Sequence, residues 1–106
     1  MRSPVPQVVP QEVKDELRRV AERWRQLPLD HALSRMPQTL ALVQSLADRV
    51  ATFRNVGSGA VPRVPDLGPA VVMDQLTVMV WDVFATEPGA DPAGVLSELR
   101  GIRAAL

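Results

Sequence analysis

Residues 69–86 carry apolar side chains on so many sides that, as a helix, they need several neighbours to cover them. At 100° per residue, the large apolar side chains span an arc of about 200°, which is broader than the stripe of an ordinary surface helix. These side chains are Val72, Met73, Leu76, Met79, Val80, Trp81, Val83 and Phe84. The pattern predicts a central helix in an all-helical domain.

A β-strand is the alternative for this segment, because the run VMVWDVF is rich in residues with high β-propensity. However, no glycine or proline interrupts the eighteen residues that follow Pro69. A run of that length favours a helix over a strand. A membrane-spanning helix is disfavoured, since Asp74 and Asp82 would each cost roughly 2.5–3.5 kcal/mol at the centre of a bilayer.

The polar side of the same segment is interrupted by two valines, Val71 and Val78. Two interpretations are open. Another helix of the same chain covers the valines, or they belong to a surface that binds a partner. The remaining residues of this side are Asp74, Gln75, Asp82 and Thr86.

The segment 11–27 has a narrower apolar side. Its large apolar residues are spaced 4, 3, 4 and 3 apart and fall within an arc of about 80°, as in a coiled-coil seam. They are Val13, Leu17, Val20, Trp24 and Leu27. The other side of this predicted helix is heavily charged, and we expect ion pairs four residues apart between Asp15 and Arg19 and between Arg18 and Glu22.

Prolines and glycines divide the rest of the chain. Pro28 is expected to end the first helix, Asp30 to cap a short helical turn over 30–36, and Pro37 to open a helix over 37–54. The apolar side of that helix contains Leu42, Val43, Leu46, Val50 and Phe53, with Arg49 at its border.

The remaining segments complete the prediction. Residues 55–68 are predicted to be a loop that crosses over the bundle, and residues 92–105 a helix with Asp91 as N-cap and Pro92 in its first position. Residues 1–10, rich in proline, are expected to be a weakly ordered tail. The fold class predicted for residues 11–106 is therefore all-α: one domain, a small four-helix bundle with one extra short helical turn.

Residue types exclude several kinds of chemistry. The chain has no cysteine, which excludes disulfides, thiolate catalysis and zinc–thiolate sites. His31 is the only histidine and is expected to be solvated or to cap a helix. Asp74 and Asp82 lie on one broad side of their predicted helix, but two carboxylates without a third ligand favour neither a metal site nor acid–base catalysis. We therefore predict no catalytic, cofactor-binding or metal-binding residue.

Charge also bears on function. The net charge is zero, which argues against a dedicated nucleic-acid-binding protein. Four arginines cluster in the first predicted helix, but acidic residues interleave with them, so a solvated, ion-paired face is expected. The arginines are Arg18, Arg19, Arg23 and Arg25, and the acids are Glu12, Asp15, Glu16 and Glu22. The Gly-Ser-Gly stretch at 57–59 lacks the flanking residues of a phosphate-binding loop.

These observations favour a non-enzymatic, helical protein–protein interaction module, either a homodimer or a subunit of a larger assembly. The alternatives are a nucleic-acid-associated regulator that uses the arginines of the first helix and a small-molecule-binding protein with a pocket beside Asp74, Asp82 and His31. The first residues lack the continuous apolar run of a signal peptide, which predicts a cytoplasmic location. Eleven arginines against one lysine point to a GC-rich, bacterial genome.

Overall fold

A computed structural model describes residues 9–54 and 63–106, and every regular element in these two ranges is a helix. The four helices are α1 (Gln11–Gln26), α2 (Leu29–Phe53), α3 (Val72–Thr86) and α4 (Pro92–Ala105). The predicted all-α class and small four-helix bundle are confirmed. Most of the predicted tail and the Gly-Ser-Gly stretch lie outside the described residues, although Val9, next to α1, is buried in the core.

Contacts between side chains show how the helices run. Lys14, near the start of α1, lies against Trp81, near the end of α3. Trp24, near the end of α1, donates a hydrogen bond from Nε1 to the carbonyl oxygen of Pro69, just before α3, at 2.8 Å. The two helices are therefore antiparallel. They touch only lightly, because α1 packs mainly against α4 and α2 packs mainly against α3.

Helices α2 and α3 run in the same direction. Ala32 in the second turn of α2 and Met73 in the first turn of α3 line the same depression. At the other end, Nη2 of Arg49 lies 2.6 Å from Oε2 of Glu87, the residue that follows α3. Two helices that run in the same direction cannot be joined by a short turn, so a long connection between them is required. Arg49 also keeps the border position predicted for it.

The core is formed by the apolar stripes of all four helices. The residues predicted to form the seam of α1 are buried, except that Leu27 is only partly so. Helix α3 is confirmed as a helix, and its wide apolar side is buried at five positions, Val72, Leu76, Val80, Val83 and Phe84. At the start of α4, Asp91 accepts a hydrogen bond from the backbone nitrogen of Ala93, and Pro92 is the first helical residue, as predicted.

The prediction that Pro37 opens a new helix is wrong. Helix α2 continues through Pro37, and the expected separate turn forms its first two turns. Pro37 and Leu33, whose carbonyl loses its donor at this point, are both exposed, so water can replace the missing hydrogen bond. Asp30 is not the cap either. Pro28 occupies the N-cap position, and Asp30 accepts a hydrogen bond from the backbone nitrogen of His31.

Two of the four aromatic residues, all of which belong to the apolar sides of predicted helices, lie at the surface. Phe53, the last residue of α2, is 47% exposed, and Trp81 is 45% exposed. Trp24 and Phe84 are buried as predicted. The prediction that α3 is a central helix is wrong: it packs mainly on α2 and only lightly on α1, so its wide apolar side exceeds what its neighbours cover and Trp81 lies at the uncovered edge.

The ion pairs of α1 also differ from the prediction. Arg18 binds Asp15 at 2.6 Å and Arg19 binds Glu16 at 3.2 Å, so both pairs are three residues apart and not four. Glu16 was expected on a solvated face, but it is only 1% exposed. The reason lies in α4, where Arg103 faces Glu16 and binds it at 2.7 Å.

Candidate binding groove

The outward side of α3 forms a stripe of five residues spaced 3, 4, 3 and 4 apart. They are Val71, Asp74, Val78, Trp81 and Ala85. This spacing is that of the seam of a coiled coil, in which one helix packs along another. Four of the five residues are exposed, and Val71 is partly buried. The stripe is apolar apart from Asp74.

The two valines of this side differ in exposure. Val78 is 53% exposed, so the described helices do not cover it. A mostly apolar depression of about 340 Å³ borders Val78 on the side of α2, lined by Val43, Val64, Pro65, Asp74, Gln75 and Met79 as well. Val71 is partly covered by its own chain. Of the two valines, Val78 is therefore the one that the described helices leave exposed.

On its other side, the stripe borders a groove between α1 and α3. Two adjoining depressions of about 300 and 400 Å³ make up this α1–α3 groove, and both are lined by Ala21. The depression near the end of α3 is lined by Leu17, Thr77 and Trp81. The one near its start is lined by Ala70, Met73 and Asp74, among others. The groove exists because α1 and α3 pack mainly on other helices and meet only lightly.

The α1 wall of the groove is basic. Lys14, Arg18 and Arg25 line it together with Ala21, at spacings of 4, 3 and 4 that place all four on one side of the helix. None of the acidic residues of α1 lines the two depressions. Within the described part of the chain, the charged residues of the α1 wall are therefore all basic, beside the apolar Leu17, Trp24 and Leu27, and the α3 wall is mostly apolar.

Two contacts hold this basic wall in place. The Nζ atom of Lys14 lies 5.2 Å from the centroid of the Trp81 ring, which is the geometry of a cation–π interaction. Arg18 is bound at Nη2 by Oδ1 of Asp15, while its side chain remains mostly exposed. A guanidinium group has five N–H donors, so Arg18 can bind a second acceptor at the groove.

The predicted arginine cluster is divided between two faces of α1. Arg18 and Arg25 line the α1–α3 groove, whereas Arg19 and Arg23 lie on the side of α4, where they line a shallow depression with Arg103. Arg23 donates a hydrogen bond to the carbonyl oxygen of Leu106 at 3.3 Å. The four arginines therefore do not form one continuous basic surface.

The structure does not bring together the residues of the expected small-molecule pocket. Nε2 of His31 lies 3.1 Å from the carbonyl oxygen of Leu106, at the start of α2. Asp74 is exposed beside the groove, and Asp82 is partly buried on the other side of the stripe. Among residues 9–54 and 63–106, no three acidic or histidine side chains lie close enough to hold a metal ion.

Glu16 and the basic wall were both missed by sequence reasoning. Lys14 is the only lysine of the chain, and its spacing to Arg18, Ala21 and Arg25 follows the predicted seam of α1. This spacing distinguishes Arg18 and Arg25, which follow the seam by one residue, from Arg19 and Arg23, which do not. Residues beside a seam lie next to the element that the seam packs against. For Glu16 there was no such signal, since its partner is on a distant helix.

No helix within the described ranges has the combination of length and apolar character needed to cross a bilayer. Comparison with known proteins gives no match to any protein family, curated protein or solved structure.

Proposed function

We propose that this chain is a non-enzymatic protein–protein interaction module that binds a helical partner through the α1–α3 groove and the outer stripe of α3. The observation that carries the proposal is the exposure of Trp81 and Val78 on one stripe with the spacing of a coiled coil. Tryptophan is enriched among the residues that dominate binding energies at interfaces. An apolar stripe beside charged residues is also the usual composition of such a surface.

A helical partner is supported by the shape of this surface. The stripe and the groove run along α3 together, and a helix is the element that packs along another helix at a spacing of 3 and 4. The partner can be a second copy of the chain or a different protein. In both cases Trp81, which belongs to the stripe and also lines the groove, lies nearest the centre of the contact, where substitutions cost most, and Val78 flanks it on the stripe.

The proposal is tested with two matched variants. Val78→Lys places a charge in the stripe, and Ala104→Lys places the same charge at an exposed position of α4. We would measure self-association by sedimentation equilibrium and compare the proteins that co-purify with the tagged chain and with each variant. We expect association that Val78→Lys weakens by about tenfold or more, equivalent to about 1.4 kcal/mol, and that Ala104→Lys leaves unchanged.

Circular dichroism of both variants verifies that the helices are intact. A chain that stays monomeric at high concentration and co-purifies with no protein would contradict the proposal. Association that is as strong in Val78→Lys as in the original chain would also contradict the proposal.

A further inference from the structure

We infer that the α1–α3 groove binds a different protein through an amphipathic helix whose edge toward α1 is acidic. This inference rests on the proposed function and adds the chemistry of the partner. It follows from the charges of the two walls: the charged residues of the α1 wall are all basic, whereas the α3 wall has a single carboxylate.

The length of the groove sets the size of the partner helix. The basic wall extends from Lys14 to Arg25, eleven residues along α1, which corresponds to about 16 Å at 1.5 Å per residue. A helix of about three turns matches this length. Its apolar side would contact Ala21 and Thr77 on the floor of the groove and the ring of Trp81 on the α3 wall.

Charge defines the edge that faces α1. Lys14, Arg18 and Arg25 are spaced 4 and 7 residues apart, so carboxylates at the same spacing on a helix lying along α1 could meet all three. Guanidinium groups bind carboxylates through paired hydrogen bonds, which are stronger than those between neutral groups. Partial burial on binding strengthens the attraction between the charges, and the desolvation of each ion offsets part of that gain.

The opposite wall determines which way round the helix binds. Asp74 lines the groove on the α3 side, so a helix with acidic residues on both edges would bring like charges together there. An acidic edge toward α1 and an uncharged or basic edge toward Asp74 is the complementary arrangement. Specificity therefore comes from repulsion at Asp74 as well as from attraction at the basic wall.

The test uses the full chain and three synthetic helical peptides of about four turns, long enough to cover the groove. The peptides share a leucine stripe and differ only at one edge, which contains glutamate, glutamine or lysine. Binding would be followed by fluorescence anisotropy of a labelled peptide. We expect the glutamate peptide to bind about tenfold or more tightly than the glutamine peptide, and the lysine peptide to bind most weakly. Added salt should reduce these differences.

A charge reversal provides the control. The double variant Arg18→Glu and Arg25→Glu should reverse the order of the peptides, because both residues are exposed and their replacement leaves the apolar floor intact. The matched variant Arg54→Glu and Arg100→Glu, with two exposed arginines outside the groove, should keep the original order. Circular dichroism verifies that both variants fold.

The outcomes separate this inference from the proposed function. If the glutamate and lysine peptides bind equally, or if no peptide binds, the inference of an acidic partner helix is wrong. In that case, association that Val78→Lys weakens would still support an interaction module. Self-association through the stripe without peptide binding also overturns the inference. A third contrary outcome is salt-sensitive binding of single-stranded DNA by the same arginines that is tighter than binding of the glutamate peptide. If no peptide binds and Val78→Lys changes no association, both proposals are wrong.

Discussion

Oε1 of Glu16 accepts a hydrogen bond from Nε of Arg103 at 2.7 Å and thereby joins α1 to α4, across 87 residues of sequence. The other carboxylate oxygen of Glu16 accepts a hydrogen bond from Arg19 at 3.2 Å. Glu16 is buried, whereas both arginines are partly exposed. A buried carboxylate is tolerated only when it is paired and hydrogen-bonded, so this pair is a condition for packing α1 against α4.

Replacing Arg103 should therefore destabilise the bundle. We expect Arg103→Met to lower the free energy of unfolding by about 1–3 kcal/mol, because Glu16 loses its shorter hydrogen bond while it stays buried. The contribution is smaller than for a fully buried pair, since water partly solvates Arg103. Urea denaturation measures the loss. Arg100→Met, an exposed arginine on the same helix, is the control and should change stability by less than about 0.5 kcal/mol.

The same carboxylate should make stability depend on pH. Burial raises the pKa of Glu16, but the hydrogen bonds and positive charges of Arg103 and Arg19 outweigh it, so the pKa lies below the ordinary value of 4.5. The unfolded chain then binds a proton at a higher pH than the folded chain does. The stabilisation is fully present above the unfolded pKa and is lost as the pH falls through the lower, folded pKa.

Urea denaturation between about pH 7 and pH 3 tests this expectation. The free energy of unfolding of the original chain should fall more steeply with acid than that of Glu16→Gln, which has no proton to bind. Identical slopes for the two proteins would mean that Glu16 does not contribute to acid sensitivity.

The two tryptophans should differ in their importance for stability. Trp24 is buried and donates a hydrogen bond to Pro69, so Trp24→Phe leaves that carbonyl without its donor and should cost about 1–3 kcal/mol. Trp81→Phe should change stability by less than about 0.5 kcal/mol, since the ring is half exposed. Thermal unfolding followed by circular dichroism measures both. Equal losses would contradict the assignment of Trp81 to a binding surface.

Pro37 should destabilise the helix that contains it. We expect Pro37→Ala to raise the free energy of unfolding by about 1–2 kcal/mol, less than the roughly 3 kcal/mol of an interior proline because alanine makes the unfolded chain more flexible. The neighbouring exposed substitution Gln38→Ala is the control. A loss of stability in Pro37→Ala would show that the proline is needed for the path of α2.

Much of the fold could be predicted from local patterns. The seam of α1 and the Asp91–Pro92 start of α4 depend on residues within one or two turns of each other, and both are confirmed, as is the helical state of α3. The effect of Pro37 is not predictable from local patterns, because it depends on which of its neighbours are buried. In α2, Met36 and Thr39 face the core while Pro37 faces water, so the helix continues.

The candidate site was only partly predictable. The two valines on the polar side of α3 were recognised as an exception, but whether they were covered depended on where α1 and α2 lie. The sequence shows the four arginines of α1 but not which face of the helix each one occupies. Their assignment to two faces follows from α3 lying on one side of α1 and α4 on the other.

Periodicity is set by the geometry of a single helix, and so the primary structure was enough to assign the helical class and most helix bounds. Burial of a charge or exposure of a tryptophan depends on which distant helix lies opposite, and the tertiary structure alone decided those. Glu16 is tolerated in the interior because Arg103 meets it there, and Trp81 is open to solvent because α1 and α3 leave a groove between them.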